Sequence, residues 1–204
     1  MSILTGIEIK KQVAEGRISI DDFDETRVNP NSYNLLFDAE SLLKISPGIV
    51  LDCAVDSSTY VVRVDEGDVE RNEDGTIYRV KLHRNMLYLA CTIEKTSTDH
   101  YVPMLTGRSS LARLGISIHQ TAGFGDIGFN GKWTLEISCT NDTWLYHKAP
   151  IAQIYYLTPC GDYEKRYDGK YQNNNSVQTS KLYQELQTTG EENATNGKEQ
   201  ESDR

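Results

Sequence analysis

The sequence predicts a mostly β protein with the architecture of a sandwich, a jelly roll or a distorted barrel. Short apolar stretches rich in Val, Ile, Tyr and Thr recur along the chain between turns rich in Asp, Asn, Gly and Ser. These stretches are YNLLF, GIVL, TYVVRV, TIYRVKL, MLYLACTIE, WTLEISCT and IAQIYYL. Such strands do not alternate with long helical patterns, so we do not expect a parallel, doubly wound sheet.

One helix is predicted near the start of the chain. Thr5 and Glu8, three residues later, form a capping box, and Gly16 stands where a glycine commonly ends a helix. The apolar positions between these signals are Ile7, Ile9, Val13 and Ala14. A second short helical or turn segment is expected near Asp21, and the β pattern begins at Val28.

Two local patterns define a turn and a strand within the β region. The segment from Asn72 to Gly75 has the composition of a hairpin turn. From Lys132 to Thr140, apolar and polar residues alternate, which is typical of a half-buried strand. The apolar face consists of Trp133, Leu135, Ile137 and Cys139, and the polar face of Lys132, Thr134, Glu136 and Ser138. On this pattern alone, Glu136 is a solvent-exposed carboxylate.

Length and composition indicate one domain followed by a tail. A chain of 204 residues with 38% apolar and 25% charged residues can bury a core. We expect a domain over residues 1–185 and a polar, acidic tail without stable structure over residues 186–204. No apolar run approaches the roughly 20 residues of a membrane-spanning helix, and no secretory signal is recognisable, so a cytoplasmic protein is expected.

The charge and the cysteines exclude further classes of function. A net charge of −9 argues against a nucleic-acid partner, so a phosphate-bearing ligand would have to be held by a local cluster of bases. Cys53, Cys91, Cys139 and Cys160 form no C-x-x-C pair, and we therefore expect neither zinc nor a redox dithiol. These cysteines are expected to be buried apolar side chains in a reducing compartment.

Two glycine-containing segments have features of phosphate-binding motifs. Gly123 to Gly128 fits G-x-G-x-x-G, but a predicted strand follows it where a dinucleotide fold has a helix. We expect these glycines to shape a β-turn. Gly107 to Arg113 combines two arginines and two hydroxyls beside a glycine, which are the donors that a polyphosphate needs, although an ordinary loop has the same composition.

Three blocks of sequence resemble the dCTP deaminase branch of the dUTPase-like family. They are GRSSLARLGI (107–116), HQTAGFGDIGFNGKWTLEI (119–137) and KYQ (170–172), within a resemblance that extends from residue 28 to residue 176. The resemblance implies a dUTPase-like distorted jelly roll with a short N-terminal helix. It also implies a homotrimer with nucleotide sites between subunits.

The resemblance also implies roles for individual residues. Glu136 falls on the general acid/base of the family, and Ser109, Arg113 and Asp126 complete the expected catalytic set. The segment 108–113 would hold the triphosphate and order the reacting water, whereas Asp126 would lie near the sugar. The full set expected to bind the nucleotide is Arg108, Ser109, Ser110, Leu111, Ala112, Arg113, Asp126, Thr134, Leu135, Glu136, Tyr163, Lys170 and Asn174.

Within this set, Thr134 and Leu135 would contact the base through their backbone. Tyr163 and Lys170 would reach the phosphates from a C-terminal segment that closes over the nucleotide. Asn174 replaces a glutamine of the family and is one methylene shorter, so its contact with the nucleotide is in doubt.

The chain departs from the family pattern at other positions as well. Gly125 and Ile127 flank Asp126 where an isoleucine and a proline or alanine are common, and Asn34 replaces a frequent aspartate. None of these departures touches the residues expected to carry out the deamination.

The activity implied is the hydrolytic deamination of dCTP to dUTP and ammonia, in the supply of dUMP and dTTP. A carboxylate that acts as both base and acid needs a pKa above the ordinary value of about 4.3, which exclusion of water would provide. Arg113 would push that pKa down, and the balance stays open. The H-x-E…P-C-x-x-C signature of zinc deaminases is absent, so we expect no catalytic metal and only Mg²⁺ on the triphosphate.

The sequence leaves open both the product of the reaction and the class of function. Gly123 after Thr-Ala is similar to the bifunctional members that continue to dUMP and pyrophosphate, whereas deaminases that stop at dUTP carry a bulkier residue there. The choice between dUTP and dUMP stays open, and so does feedback by dTTP, a ligand that the family often binds. Alternatives are a non-catalytic nucleotide-binding regulator, a dUTPase without deaminase activity, and a purely structural jelly roll.

Overall fold

A computed structural model of the protein describes residues 2–187. The predicted tail over residues 186–204 therefore lies outside the described residues, except for residues 186 and 187. These two residues continue a helical stretch at 182–187. Among residues 2–187, no helix has the length and apolar character that crossing a lipid bilayer requires.

The described chain is mostly β, as the sequence predicts. Besides the helical stretch at 182–187, it contains α1 (Gly6–Ala14) and α2 (Ser109–Ala112), with 3₁₀ turns at Glu25–Arg27, Ser57–Tyr60 and Glu66–Asp68. The strands are β1 (Ile18–Ile20), β2 (Val28–Asn29), β3 (Ser32–Ile45), β4 (Val61–Arg63), β5 (Val69–Arg71), β6 (Ile77–Leu82), β7 (Tyr88–Thr98), β8 (Val102–Gly107), β9 (Ile116–Ser117), β10 (Asn130–Cys139), β11 (Thr143–Tyr146) and β12 (Pro150–Leu157).

The strands form two antiparallel sheets. The larger sheet has the order β8-β12-β3-β7-β10-β9, with β1 added to β7 and with β2 and β4 added to β3. The smaller sheet has the order β11-β6-β5, and its β5–β6 hairpin turns at the predicted Asn72 to Gly75 segment. Gly75 has a φ of +85° there, a conformation that glycine adopts without strain. The larger sheet is nearly closed, which agrees with the predicted barrel-like jelly roll.

The N-terminal helix forms where the sequence predicts it. The Thr5 hydroxyl accepts a hydrogen bond from the Glu8 backbone N–H at 3.3 Å, which satisfies one of the free donors at the helix start. Helix α1 buries Ile9, whereas Ile7 is 82% exposed although the pattern placed it among the apolar positions. Gly6 must be glycine because an added Cβ would lie 2.2 Å from the backbone oxygen of Asn29.

Two expectations about the fold are wrong. The stretch GIVL (48–51) is not a strand. It begins in a turn that includes Gly48, it pairs with no neighbouring strand, and Val50 is 93% exposed. The cysteines are buried only in part, since Cys91 and Cys139 lie in the core whereas Cys53 and Cys160 are exposed. An extended apolar run becomes part of a sheet only where a neighbouring strand satisfies its backbone groups.

Strand β10 is anchored by its central tryptophan. Trp133 donates its indole N–H to the Thr96 hydroxyl at 2.9 Å, and its backbone N–H bonds to the Thr92 hydroxyl at 3.0 Å. The register between β10 and β7 shifts between Lys132 and Thr134, at this anchored residue. Trp133 and Leu135 are therefore held inward, with exposures of 7% and 0%. Thr134 and Glu136, which alternate with them, are held outward.

A buried ion pair fastens the N-terminal region to the sheet. Glu94 of β7 is only 1% exposed, and its carboxylate pairs with the Arg27 guanidinium. The same carboxylate accepts a hydrogen bond from the backbone N–H of Leu36 at 2.9 Å, and Arg27 lies over the Tyr33 ring at 4.9 Å. One buried carboxylate therefore connects β7, β3 and the turn before β2.

We expect Glu94→Ala to lower the free energy of unfolding by about 3–5 kcal/mol, because it leaves a mostly buried guanidinium without its carboxylate. Urea denaturation followed by tryptophan fluorescence measures this change. The matched control is Glu25→Ala, which breaks a largely exposed ion pair with Lys10 and should cost about 1 kcal/mol or less. Equal losses in the two variants would contradict a stabilising role for the buried pair.

Candidate active site

The outward face of β10 forms the floor of a cavity of about 750 Å³. Because Trp133 and Leu135 point into the core, Lys132, Thr134 and Glu136 lie on the other face of the strand, and all three line this cavity. The polar face predicted from the alternating pattern is thus the floor of a concave site.

Leu87, just before β7, and Leu89 within it also line the cavity, and three further segments form its walls. They are the loop and strand start at 45–61, the glycine-rich loop at 122–129 and the C-terminal segment at 167–180. The Ser57 hydroxyl donates a hydrogen bond to the backbone oxygen of Ser180 at 2.7 Å, which joins two of these walls. The cavity is therefore built from segments that are far apart in the sequence.

Glu136 is half-buried on the cavity floor, and burial raises the pKa of its carboxyl above the ordinary value. Two neighbours oppose this rise in pKa: the backbone N–H of Gln120, which lies 3.4 Å from Oε2 of Glu136, and the charge of His119. Desolvation is the largest cause, so the carboxyl is a stronger base than an exposed glutamate. Arg113 is not among the groups that act on Glu136 within one chain.

The glycine-rich loop presents Asp126 to the cavity. The loop turns at residues 126–129. The Phe129 backbone N–H donates to the backbone oxygen of Asp126 at 3.1 Å, and Gly128 has a φ of +91°. Gly125 packs against the core, since an added Cβ would lie 2.5 Å from the Trp133 ring. Strand β10 follows directly, as expected, so the G-x-G-x-x-G pattern here shapes a turn before a strand and opens no helix.

The C-terminal segment runs along β10 and covers part of the cavity. Asn174 accepts a hydrogen bond from the Lys132 N–H at 3.1 Å and donates one to the Tyr171 oxygen at 2.9 Å. The backbone N–H of Gln178 donates to the Thr134 hydroxyl at 3.0 Å. Asn174 therefore lines the cavity while its amide holds the segment on the strand.

Four of the thirteen residues predicted to bind the nucleotide line this cavity: Asp126, Thr134, Glu136 and Asn174. Leu135 is inward and fully buried, so only its backbone can reach a ligand. The hydroxyl of Tyr163 lies outside the cavity and donates to the backbone oxygen of Asp99 at 2.6 Å, and Lys170 pairs with Glu185.

The predicted triphosphate segment does not reach the cavity of its own chain. Ser109, Ser110 and Arg113 are exposed on α2 and just after it, and none of the residues 108–113 lines the cavity. Arg108 donates to the backbone oxygen of Pro150 at 2.8 Å. A single chain thus keeps Glu136, the expected general acid/base, and the expected phosphate-binding segment apart.

Two neighbours of the site, Gln120 beside Glu136 and Lys132 in the cavity, were missed in the sequence. Gln120 touches Glu136, and its side-chain amide donates to the Glu136 backbone oxygen at 3.4 Å. Lys132 lines the cavity, and the alternation that includes Thr134 and Glu136 was the signal that could have identified it. Among residues 2–187, no three His, Cys, Asp or Glu side chains lie together in a way that could hold a metal ion.

Comparisons with known proteins agree with the fold and identify the family. The model of a family described as dCTP deaminase-like matches residues 3–158. A protein of Clostridium beijerinckii named "dCTP deaminase, dUMP-forming" is 45% identical over 185 residues, which covers 91% of this chain and 99% of that protein. A protein of Cytophaga hutchinsonii with the same name is 41% identical over 185 residues, with 91% and 99% covered.

A solved structure is similar in fold. It is the 2′-deoxycytidine 5′-triphosphate deaminase from Agrobacterium tumefaciens, with a TM-score of 0.55 and 17% sequence identity. The match covers 77% of this chain and 48% of that one, so this chain spans about half the length of the solved protein. The family match over most of the described domain and the two long, similar relatives lead to one conclusion: the chain belongs to the dCTP deaminase-like family.

Proposed function

We propose that this protein is a hydrolase that converts dCTP to dUTP and ammonia and continues to dUMP and pyrophosphate. The observation that carries the proposal is Glu136, a half-buried carboxyl with a raised pKa on the floor of a large cavity. Relatives that are 41% and 45% identical over nine-tenths of the chain are named for deamination of dCTP with formation of dUMP. The product would feed the supply of pyrimidine deoxynucleotides.

Glu136 would transfer protons in the deamination step. It takes a proton from a water molecule as the oxygen attacks C4 of cytosine, and the C4–O bond forms. The carboxyl delivers this proton to N3, then takes the proton of the new C4 hydroxyl and passes it to the exocyclic amine, and the C4–N bond breaks to release ammonia as the C4 carbonyl forms. Burial supports both halves of this cycle, because a raised pKa makes the carboxylate a stronger base and lets the carboxyl keep its proton to a higher pH than an exposed glutamate does.

The remaining catalytic groups would come from a neighbouring copy in a homotrimer. The exposed positions of Ser109 and Arg113, away from the cavity of their own chain, support a site shared between subunits. Arg108 and the backbone of residues 109–112 would then hold the triphosphate of a nucleotide bound in the adjoining cavity.

The C-terminal segment would close over the phosphates. Tyr163 and Lys170 would approach them from this side, and Lys170 would exchange its pairing with Glu185 for a phosphate oxygen. The triphosphate would carry Mg²⁺, and dTTP would compete for the same site. The net charge of −9 supports a small nucleotide rather than a nucleic acid as the ligand, and we propose that the protein acts in the cytoplasm.

Asp126 would assist the second step, in which water cleaves the bond between the α- and β-phosphates and releases pyrophosphate. Its side chain is exposed within the cavity, where it can orient a water molecule. Gly123 precedes it and keeps the loop close to β8, since an added Cβ would lie 2.3 Å from the Leu105 oxygen. A larger residue at 123 would therefore displace the loop that carries Asp126.

Replacing Glu136 by Gln tests the proton transfer. We expect ammonia release from dCTP to fall by about 10²–10⁴-fold, because the amide cannot exchange protons, while calorimetric binding of dCTP persists. The matched control is Glu73→Gln, on an exposed turn outside the cavity, which should keep full activity. Full turnover by Glu136→Gln would contradict the mechanism, and a non-catalytic regulator would show no turnover in any of the variants.

Incubation of the protein with dCTP and Mg²⁺ tests the product. We expect dUMP and pyrophosphate in equal amounts with ammonia, because both hydrolytic steps would occur before the nucleotide leaves the site. Anion-exchange chromatography separates the nucleotides, and removal of Mg²⁺ with a chelator should slow the reaction. Stoichiometric accumulation of dUTP without pyrophosphate would limit the activity to deamination.

Mixing two inactive variants tests the shared site. Glu136→Gln and Arg113→Ala chains should each be inactive alone, yet trimers reassembled from equal amounts of both should regain about a quarter of the wild-type sites. This recovery follows because each site would draw Glu136 and Arg113 independently from two chains. Ammonia release by the whole reassembled mixture, compared with the wild type at equal subunit concentration, measures it, and no recovery would show that both residues act from one chain.

A further inference from the structure

The cavity is lined by more acidic than basic side chains, so a phosphate-bearing ligand finds few positive groups there. Among the described residues that line it, Asp52, Asp126 and Glu136 carry carboxyl groups, whereas Lys132 is the one lysine or arginine. A nucleotide brings further negative charge into this space. A cation on the cavity floor would therefore contribute strongly to holding it.

Lys132 and Glu136 are separated along β10 by a distance that a bound nucleotide can span. The two residues lie on the same face of β10 and are four positions apart, which corresponds to about 13 Å along a strand. A nucleotide with its cytosine amine at Glu136 extends away from it through the ring and the sugar toward its phosphates. Thr134, halfway between the two residues, would lie beneath the base and the sugar.

The ammonium of Lys132 forms an ion pair with Asp38 but no hydrogen bond to it. Its Nζ lies 3.6 Å from an Asp38 carboxylate oxygen, a separation beyond hydrogen-bond range. The side chain is 23% exposed, so part of it stays accessible from the cavity. Its backbone, in contrast, is fixed by the hydrogen bond from the Lys132 N–H to Asn174. A fixed backbone with a long, flexible side chain allows the ammonium to change partners without movement of the strand.

From these observations, and resting on the proposed function, we infer that Lys132 is a nucleotide-binding residue. Its ammonium leaves Asp38 and pairs with a phosphate oxygen of the nucleotide whose base lies at Glu136. The chain itself then supplies a phosphate partner from the cavity floor, in addition to the groups proposed to come from a neighbouring copy and from the C-terminal segment.

Binding by Lys132→Met tests this inference. We expect the affinity for dCTP, measured by calorimetry, to fall by about tenfold or more, because a charge-assisted hydrogen bond is lost. The affinity for deoxycytidine, which has no phosphate, should stay within about twofold of wild type. The matched control is Lys95→Met, which lies opposite Lys132 in the β7–β10 register but does not line the cavity, and should bind dCTP normally.

A second variant separates binding from a structural role. Asp38→Asn removes the competing carboxylate, so dCTP should bind as well as in the wild type or more tightly. If Lys132 only stabilised the sheet through Asp38, Asp38→Asn and Lys132→Met would weaken dCTP binding and lower Tm alike, which would overturn the inference.

Unchanged dCTP affinity in Lys132→Met would also overturn the inference, and would leave the proposed function intact. In contrast, a wild-type protein that neither binds dCTP nor releases ammonia from it would overturn the proposed function, and the role of Lys132 with it.

Discussion

The anchoring of Trp133 in the core is the constraint on which the site depends. Its indole and backbone N–H groups bond to Thr96 and Thr92 of β7, so β10 cannot slip against its neighbour without breaking buried hydrogen bonds. Because side chains alternate along a strand, this register sends Glu136 and Lys132 to the outward face. A slip by one residue would bury the charged side chains and expose the apolar ones.

The chemistry of the cavity comes from segments that cover this face. The loop at 45–61, the turn at 122–129 and the C-terminal segment partly remove Glu136 from water, and the resulting desolvation raises its pKa. The cover is held by hydrogen bonds between side chains and backbone: the Lys132 N–H donates to the Asn174 amide oxygen, and the Ser57 hydroxyl donates to the backbone oxygen of Ser180. The same segments that shape the cavity therefore also tune its carboxyl.

Much of the fold could be predicted from local patterns. The capped helix, the hairpin turn at Gly75 and the alternation in β10 all depend on residues close in sequence, and the structure contains each of them. The GIVL stretch could not be assigned correctly, because whether an apolar run becomes a strand depends on a partner strand. The burial of each cysteine depended on tertiary packing for the same reason.

For the candidate site, the alternating pattern was enough to assign residue types to one face of β10, and the resemblance was enough to identify the family. That Asp126, Asn174 and Lys132 surround the same cavity as Glu136, whereas the segment 108–113 lies elsewhere in the chain, became visible in the folded chain alone. This is because alternation is a property of consecutive residues. Desolvation, in contrast, arises from distant segments that pack over the strand, and no local pattern records which segments these are.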